Sequence, residues 1–260
     1  MSMNKVERTY AGFDEYRDRY STIRMTRTDG ILEMCLNTDG GSLQWSLQAH
    51  HELERAFLEV GRDRENEVII LTGTGDEFCG PAIEPGKHPN RNTMTPGVYD
   101  EIFWESKQLL PNLLNIDVPI ISAINGPAVR HAEIPLISDV VLATEDTYFQ
   151  DTAHFPGGMV PGDGMHIVMP LLMGLTRGRY FLLTAQKVDA QEAKDMGLVN
   201  EVLTRETLLP RAYELAREIV KQPRLVRRYT RMVLTEDLKT RMQGLLGYGL
   251  VLEGVARMKG

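Results

Sequence analysis

Two short runs in the first half of the chain, EVIILTGTG (67–75) and VPIISAING (118–126), are apolar at successive positions rather than at alternate ones. A strand with one wetted face alternates, whereas a continuous apolar run of this length fits a strand covered on both faces. Such strands pair in parallel and need helices to cross between them. The sequence supplies candidates: 46–63 and 98–116 carry apolar residues at helical intervals, the second with a kink expected at Pro111. Residues 20–37 read as two strands around the turn pair Asp29-Gly30, and 140–151 as a further strand pair. HAEIPLISD (131–139) is helix-like, and from about 177 onward the pattern is helices separated by Gly and Pro. The fold class is therefore α/β, with no linker or internal repeat to divide it.

Composition narrows the function classes. A net charge of −7 and a pI near 5.5 argue against nucleic acid, because neutralising phosphates takes clustered Lys and Arg. The basic cluster RLVRRYTR (224–231) has apolar residues woven through it at helical spacing and reads as a solvated helix face. No run approaches the ~18 apolar residues of a membrane span. The polar opening MSMNKVERTYAGFDEY has no signal-peptide core, so a cytoplasmic location is expected. Cys35 and Cys79 suggest neither a disulfide framework nor a zinc knuckle. Glycines 73, 75 and 80 miss nucleotide-binding spacing, and HExxH and GxSxG are absent. Neither a metal nor a cofactor is implied, which leaves acid–base chemistry without a protein nucleophile.

The candidate for that chemistry is HFPGGMVPGDG (154–164). His154 and Asp163 stand nine residues apart with two prolines and three glycines between them, and with no other ionisable group. Taken alone, His154 is also a plausible structural hydrogen-bonder, and Asp163 a turn residue. His131 fits a helix start equally well, Glu253 a solvated helix position, and Trp45 a core aromatic.

The order of segments settles more. VIILTGTGDEFC, VPIISAINGPA, ISDVVLATEDTYFQ, GMVPGDG and GRYFLLTAQKVDAQEAKDMGLVNEVL together resemble the crotonase (enoyl-CoA hydratase/isomerase) superfamily over nearly the whole chain, most specifically across Leu183–Val202. The resemblance implies a spiral of ββα turns, here 1–195, with a helical C-terminal region, 196–260, in the same domain. It also implies a homotrimer or dimer of trimers acting on a small-molecule substrate. Yet the CoA-using members' Ala-Gly-Ala-Asp turn is replaced by Gly80-Pro81-Ala82-Ile83. Their glycine run is replaced by Pro127-Ala128-Val129-Arg130-His131-Ala132, and their two catalytic glutamates have no counterpart.

These departures resemble one branch, the β-diketone hydrolases of the 6-oxocamphor hydrolase type, which cleave carbon–carbon bonds without CoA. On that resemblance His154 is the general base and Asp163 its orienting partner. His131 stabilises the enolate or oxyanion, Glu253 positions water or a second proton, and Trp45 forms an aromatic wall. Ala82 and Ala132 are substrate-binding positions, Ala82 through its backbone N–H. The alternatives are an acyl-CoA hydratase/isomerase and a non-catalytic trimeric binding protein.

Overall fold

The computed structural model describes residues 10–87 and 94–258. After a single turn, α1 (Phe13–Tyr16), the hairpin β1 (Ile23–Thr28) and β2 (Ile31–Leu36) closes at Asp29-Gly30, both with positive φ. Helix α2 (Leu47–Arg62), capped by the Ser46 hydroxyl accepting from Ala49 N–H at 3.2 Å, crosses to β3 (Val68–Gly73). Helix α3 (Pro96–Asn115) runs through Pro111 and crosses to β4 (Ile120–Ile124). A short α4 (Glu133–Leu136) precedes β5 (Val140–Thr144) and β6 (Tyr148–Phe149). Next come α5 (Met165–Met173), α6 (Leu175–Thr184), β7 (Val188–Asp189), α7 (Ala190–Asp195) and β8 (Glu201–Leu203). Two long helices follow, α8 (Arg205–Val220) and α9 (Arg224–Arg257).

The main sheet has the order β1-β2-β3-β4-β5-β8, antiparallel at the first pair and parallel thereafter. Every residue of β4 and all but the last of β3 are buried, because the sheet is covered twice. On one face Leu208, Ala212 and Ala216 of α8 pack on Val68, Ile70, Ile121 and Ala123. On the other, Leu53, Phe57, Leu110 and Leu114 of α2 and α3 share a core with Ile69, Leu71, Ile120 and Ile124. That core also takes in Leu198, Met242 and Leu246, so the C-terminal helices belong to the same packed unit.

A second ladder runs beside the sheet, made of single bridges: Gln44 to Gly80, Cys79 to Ala128, and Ala128 to Phe149, all parallel. Each turn of the chain thus contributes one long strand and one bridge residue, the repeating unit of a ββα spiral.

Three expectations change. Strands β5 and β6 do not pair with each other; β6 pairs antiparallel with β7. Two short strands, β7 and β8, lie within the region read as helical. The cluster 224–231 is not a solvated face. Arg227, Arg228 and Arg231 are buried, and they pair with Glu67, Asp117 and Asp139 where the strands begin. Arg231 donates both to Asp139 at 2.6 Å and to the carbonyls of Leu113 and Ile116 at the end of α3. Among the described residues no helix is long and apolar enough to cross a membrane.

Candidate active site

The second ladder places the candidate residues. Trp45 follows bridge residue Gln44, Arg130 and His131 follow Ala128, and Asp151 and His154 follow Phe149. Successive turns of the spiral therefore deliver side chains to one end of the ladder, where a cavity of about 130 Å³ opens. The turn after Gly80 is the exception. Ala82 is exposed and does not border the cavity, and the Ala132 side chain is buried in the core away from it. Neither of these two positions, expected to meet substrate, is among the residues that line the cavity.

His131, His154, Asp163, Glu253 and Trp45 all line the cavity. His154 is 4% exposed and engaged on both ring nitrogens. Its Nδ1 lies 2.9 Å from Asp151, and its Nε2 lies 3.1 Å from Asp163 Oδ2. The group that orients the ring from Nδ1 is thus Asp151, three residues back in the same turn, and not Asp163. Asp163 Oδ2 is also 3.4 Å from His131 Nδ1, which lies 2.7 Å from Glu133. Carboxylate and imidazole alternate along a five-membered chain: Asp151, His154, Asp163, His131, Glu133.

The electrostatics follow from this order. Burial disfavours charge on His154, but the two aspartates outweigh it and raise its pKa well above the ordinary value. Burial pushes Asp163 up, and the facing His154 more than reverses this, holding it far below the usual carboxylate range. Glu133, fully buried, is raised by desolvation. His154 is accordingly an imidazolium at neutral pH, donating one N–H to each aspartate.

His131 sits at φ 49°, a left-handed conformation that costs a non-glycine residue on the order of 1–3 kcal/mol. Its ring stacks on Trp45 with centroids 3.7 Å apart. Its Nε2 has no partner among the described residues.

Glu253 enters from the far end of α9. It accepts from Arg257 at 3.0 Å through Oε1, while Oε2 is buried and unpartnered, as is Asp163 Oδ1. Burial pushes its pKa up to about 7, with the Asp163 charge adding to the rise. The approach depends on a glycine: a Cβ on Gly162 would lie 2.2 Å from the Gly249 carbonyl. His166 fastens the same contact, its Nδ1 lying 2.9 Å from the Pro161 carbonyl and its Nε2 3.3 Å from that of Leu245.

The donor atoms of His131, Glu133 and Asp163, and those of His154, Asp163 and Glu253, lie within 4.8 Å of one another. Their chemistry suits protons better than a dication. Both nitrogens of His154 face carboxylates, and the cations Arg130 and Arg257 share the cavity. The sequence reading passed over Asp151, Glu133 and Arg257. An acid at the end of a strand, or a base one turn along a helix, carries no spacing signal.

The profile of the family described as Enoyl-CoA hydratase/isomerase matches residues 26–246. Among solved structures, a β-diketone hydrolase from the cyanobacterium Anabaena sp. PCC 7120, bound to (S)-3-oxocyclohexyl acetic acid, is 45% identical. It superposes with a TM-score of 0.89, covering 94% of this chain and 96% of that one. An enoyl-CoA hydratase/isomerase from Mycobacterium paratuberculosis shares the fold at a TM-score of 0.81 and 23% identity, covering 91% and 93%. Among curated sequences, 1,2-epoxyphenylacetyl-CoA isomerase of Escherichia coli K12 is 27% identical over 202 residues, 75% of this chain and 74% of that protein.

Proposed function

The chain belongs to the enoyl-CoA hydratase/isomerase family of the crotonase superfamily, and on that footing we propose that it is a cofactor-free hydrolase cleaving a carbon–carbon bond of a cyclic β-diketone. The observation that carries this reading is the alternating carboxylate–imidazole chain in the cavity wall, facing a carboxyl poised near neutrality. The 45% identical neighbour, named a β-diketone hydrolase, supports it.

Retro-Claisen cleavage adds water to one carbonyl carbon and breaks the bond to the carbon between the two carbonyls. The electrons of that bond form an enolate on the second carbonyl, and protonation at carbon completes a keto acid. The proton of water needs an acceptor. The free Oε2 of Glu253 suits that role at neutral pH better than His154, whose ring already carries its proton. His154, both of its N–H groups held by aspartates, lends its positive charge to the developing enolate, and Glu253 returns to carbon the proton it took from water. Burial favours the protonated carboxyl of Glu133. Donating to His131 Nδ1, it fixes the tautomer whose Nε2–H points to an oxyanion. Trp45 holds that ring by stacking and gives the cavity an apolar wall.

The cavity is close to the roughly 150 Å³ known to admit benzene, which favours a compact ring or bicycle. An acid such as the one bound by the cyanobacterial neighbour, a ring ketone with a carboxymethyl arm, is what hydrolysis of a bicyclic 1,3-diketone yields. The test is a panel of mono- and bicyclic 1,3-diketones, followed by loss of enol absorbance and by the mass gain of one water. Cleavage by the wild type and none by His154→Ala is expected. Inertness towards the whole panel, with acyl-CoA bound or hydrated instead, would overturn the proposal. We further propose a homotrimer or dimer of trimers, supported by the exposed apolar stripe Val226, Tyr229, Val233 and Leu234 on α9.

A further inference from the structure

Arg130 borders the cavity next to His131 and has no part in the chemistry above. No hydrogen bond or ion pair reaches its guanidinium among the described residues, and its Nε is buried without a partner. Burial pulls its pKa down, the signature of a charge that has lost water. Arg257, the other guanidinium at this cavity, has Glu253 at 3.0 Å. The acids nearest Arg130 act on it through their field, but Asp151, Asp163 and Glu133 direct their hydrogen bonds to the two imidazoles. A half-buried guanidinium in a cavity wall with no protein partner leaves its planar fork open, and that fork matches one class of ligand above others: a carboxylate taken bidentately.

The proposed reaction makes such a group. A neutral diketone and water become a ketone and a carboxylic acid, which ionises at neutral pH and releases one proton. We propose that Arg130 is a carboxylate subsite that receives the acid formed by ring opening, and this rests on the diketone-hydrolase reading. Substrate and product then differ at this cavity chiefly by one charge, and Arg130 is the residue that senses it. Product affinity, and with it release of product, is set here rather than in the carboxylate–imidazole chain.

The experiment is calorimetric titration at pH 7 with (S)-3-oxocyclohexyl acetic acid and with its uncharged methyl ester. The wild type binds the acid at least about tenfold more tightly than the ester. Arg130→Gln weakens the acid by about that factor and leaves the ester within about twofold, while Arg130→Lys restores part of the preference. Equal binding of acid and ester by the wild type overturns the proposal. So does an Arg130→Gln variant that weakens both alike, since Arg130 would then serve the wall and not the ligand. If that variant does not fold, the wild-type comparison decides alone. Diketone turnover is measured in parallel. Discrimination without turnover leaves the subsite standing and removes the functional reading; turnover without discrimination does the reverse.

Discussion

Replacing Glu253 by Gln removes a carboxyl that burial has pushed from 4.5 to about 7. Two effects of opposite sense follow. In its proposed role as the acceptor of water's proton it works ionised, so kcat in the wild type is expected to rise with pH through about 7. Glu253→Gln loses that limb together with roughly 10²- to 10⁴-fold in rate. For stability, the folded state keeps a proton between pH 4.5 and about 7 that the unfolded state has released. Stability therefore falls as pH rises through this window, and denaturant titrations of Glu253→Gln show a flatter slope there. His154 behaves differently. Its folded pKa is raised, so its contribution is complete below 6.5 and is lost only as pH climbs through the higher folded value. Asp151→Asn lowers that value: the His154 ring proton, followed by NMR, titrates at lower pH than in the wild type, and a ring that titrates unchanged would deny Asp151 its role. The sequence exposes His154 and Asp163, because a loop of Gly and Pro isolates them. It hides Asp151, whose carboxylate matters only once the backbone turns and brings it to Nδ1.

Elements meet here through backbone as much as through side chains. Gly162→Ala forces a methyl into the Gly249 carbonyl, so the loop or α9 must move. The expected outcome is a loss of about 1–3 kcal/mol with cleavage reduced more than folding, checked by comparing kcat with the unfolding midpoint. Helix α9 is anchored at its other end by arginines. Arg231→Met takes the counter-charge from Asp139 and one donor each from the Leu113 and Ile116 carbonyls, a cost of about 3–5 kcal/mol in denaturant unfolding. Periodicity locates this helix but not its arginine contacts. Basic residues at i, i+3 and i+4 look alike on a wet face and on a buried one. What decides is the presence of Glu67, Asp117 and Asp139 at the strand starts, more than ninety residues away in sequence.

At the scale of the whole molecule, the parallel sheet is legible because β3 and β4 are apolar on both faces, and α2, α3 and α8 supply the two coverings. The second ladder is not legible. Its single-residue bridges have no period, yet they align the turns that carry Trp45, His131 and His154. The apolar stripe on α9 makes a prediction at this scale: if the proposed trimer forms through it, Val233→Asp lowers the sedimentation coefficient to that of a smaller species, and an unchanged value would remove the stripe as support for that assembly. The same helix sets the timing of the site. Asp163 is made ninety positions before Glu253, and both imidazoles earlier still, a lead of roughly 5–20 seconds of ribosomal synthesis for Asp163. A nascent chain thus holds the carboxylate–imidazole chain early and lacks the proposed proton acceptor until the last turns of α9 form. Turnover in a translating extract should begin only then, making catalysis a clock for completion of that helix.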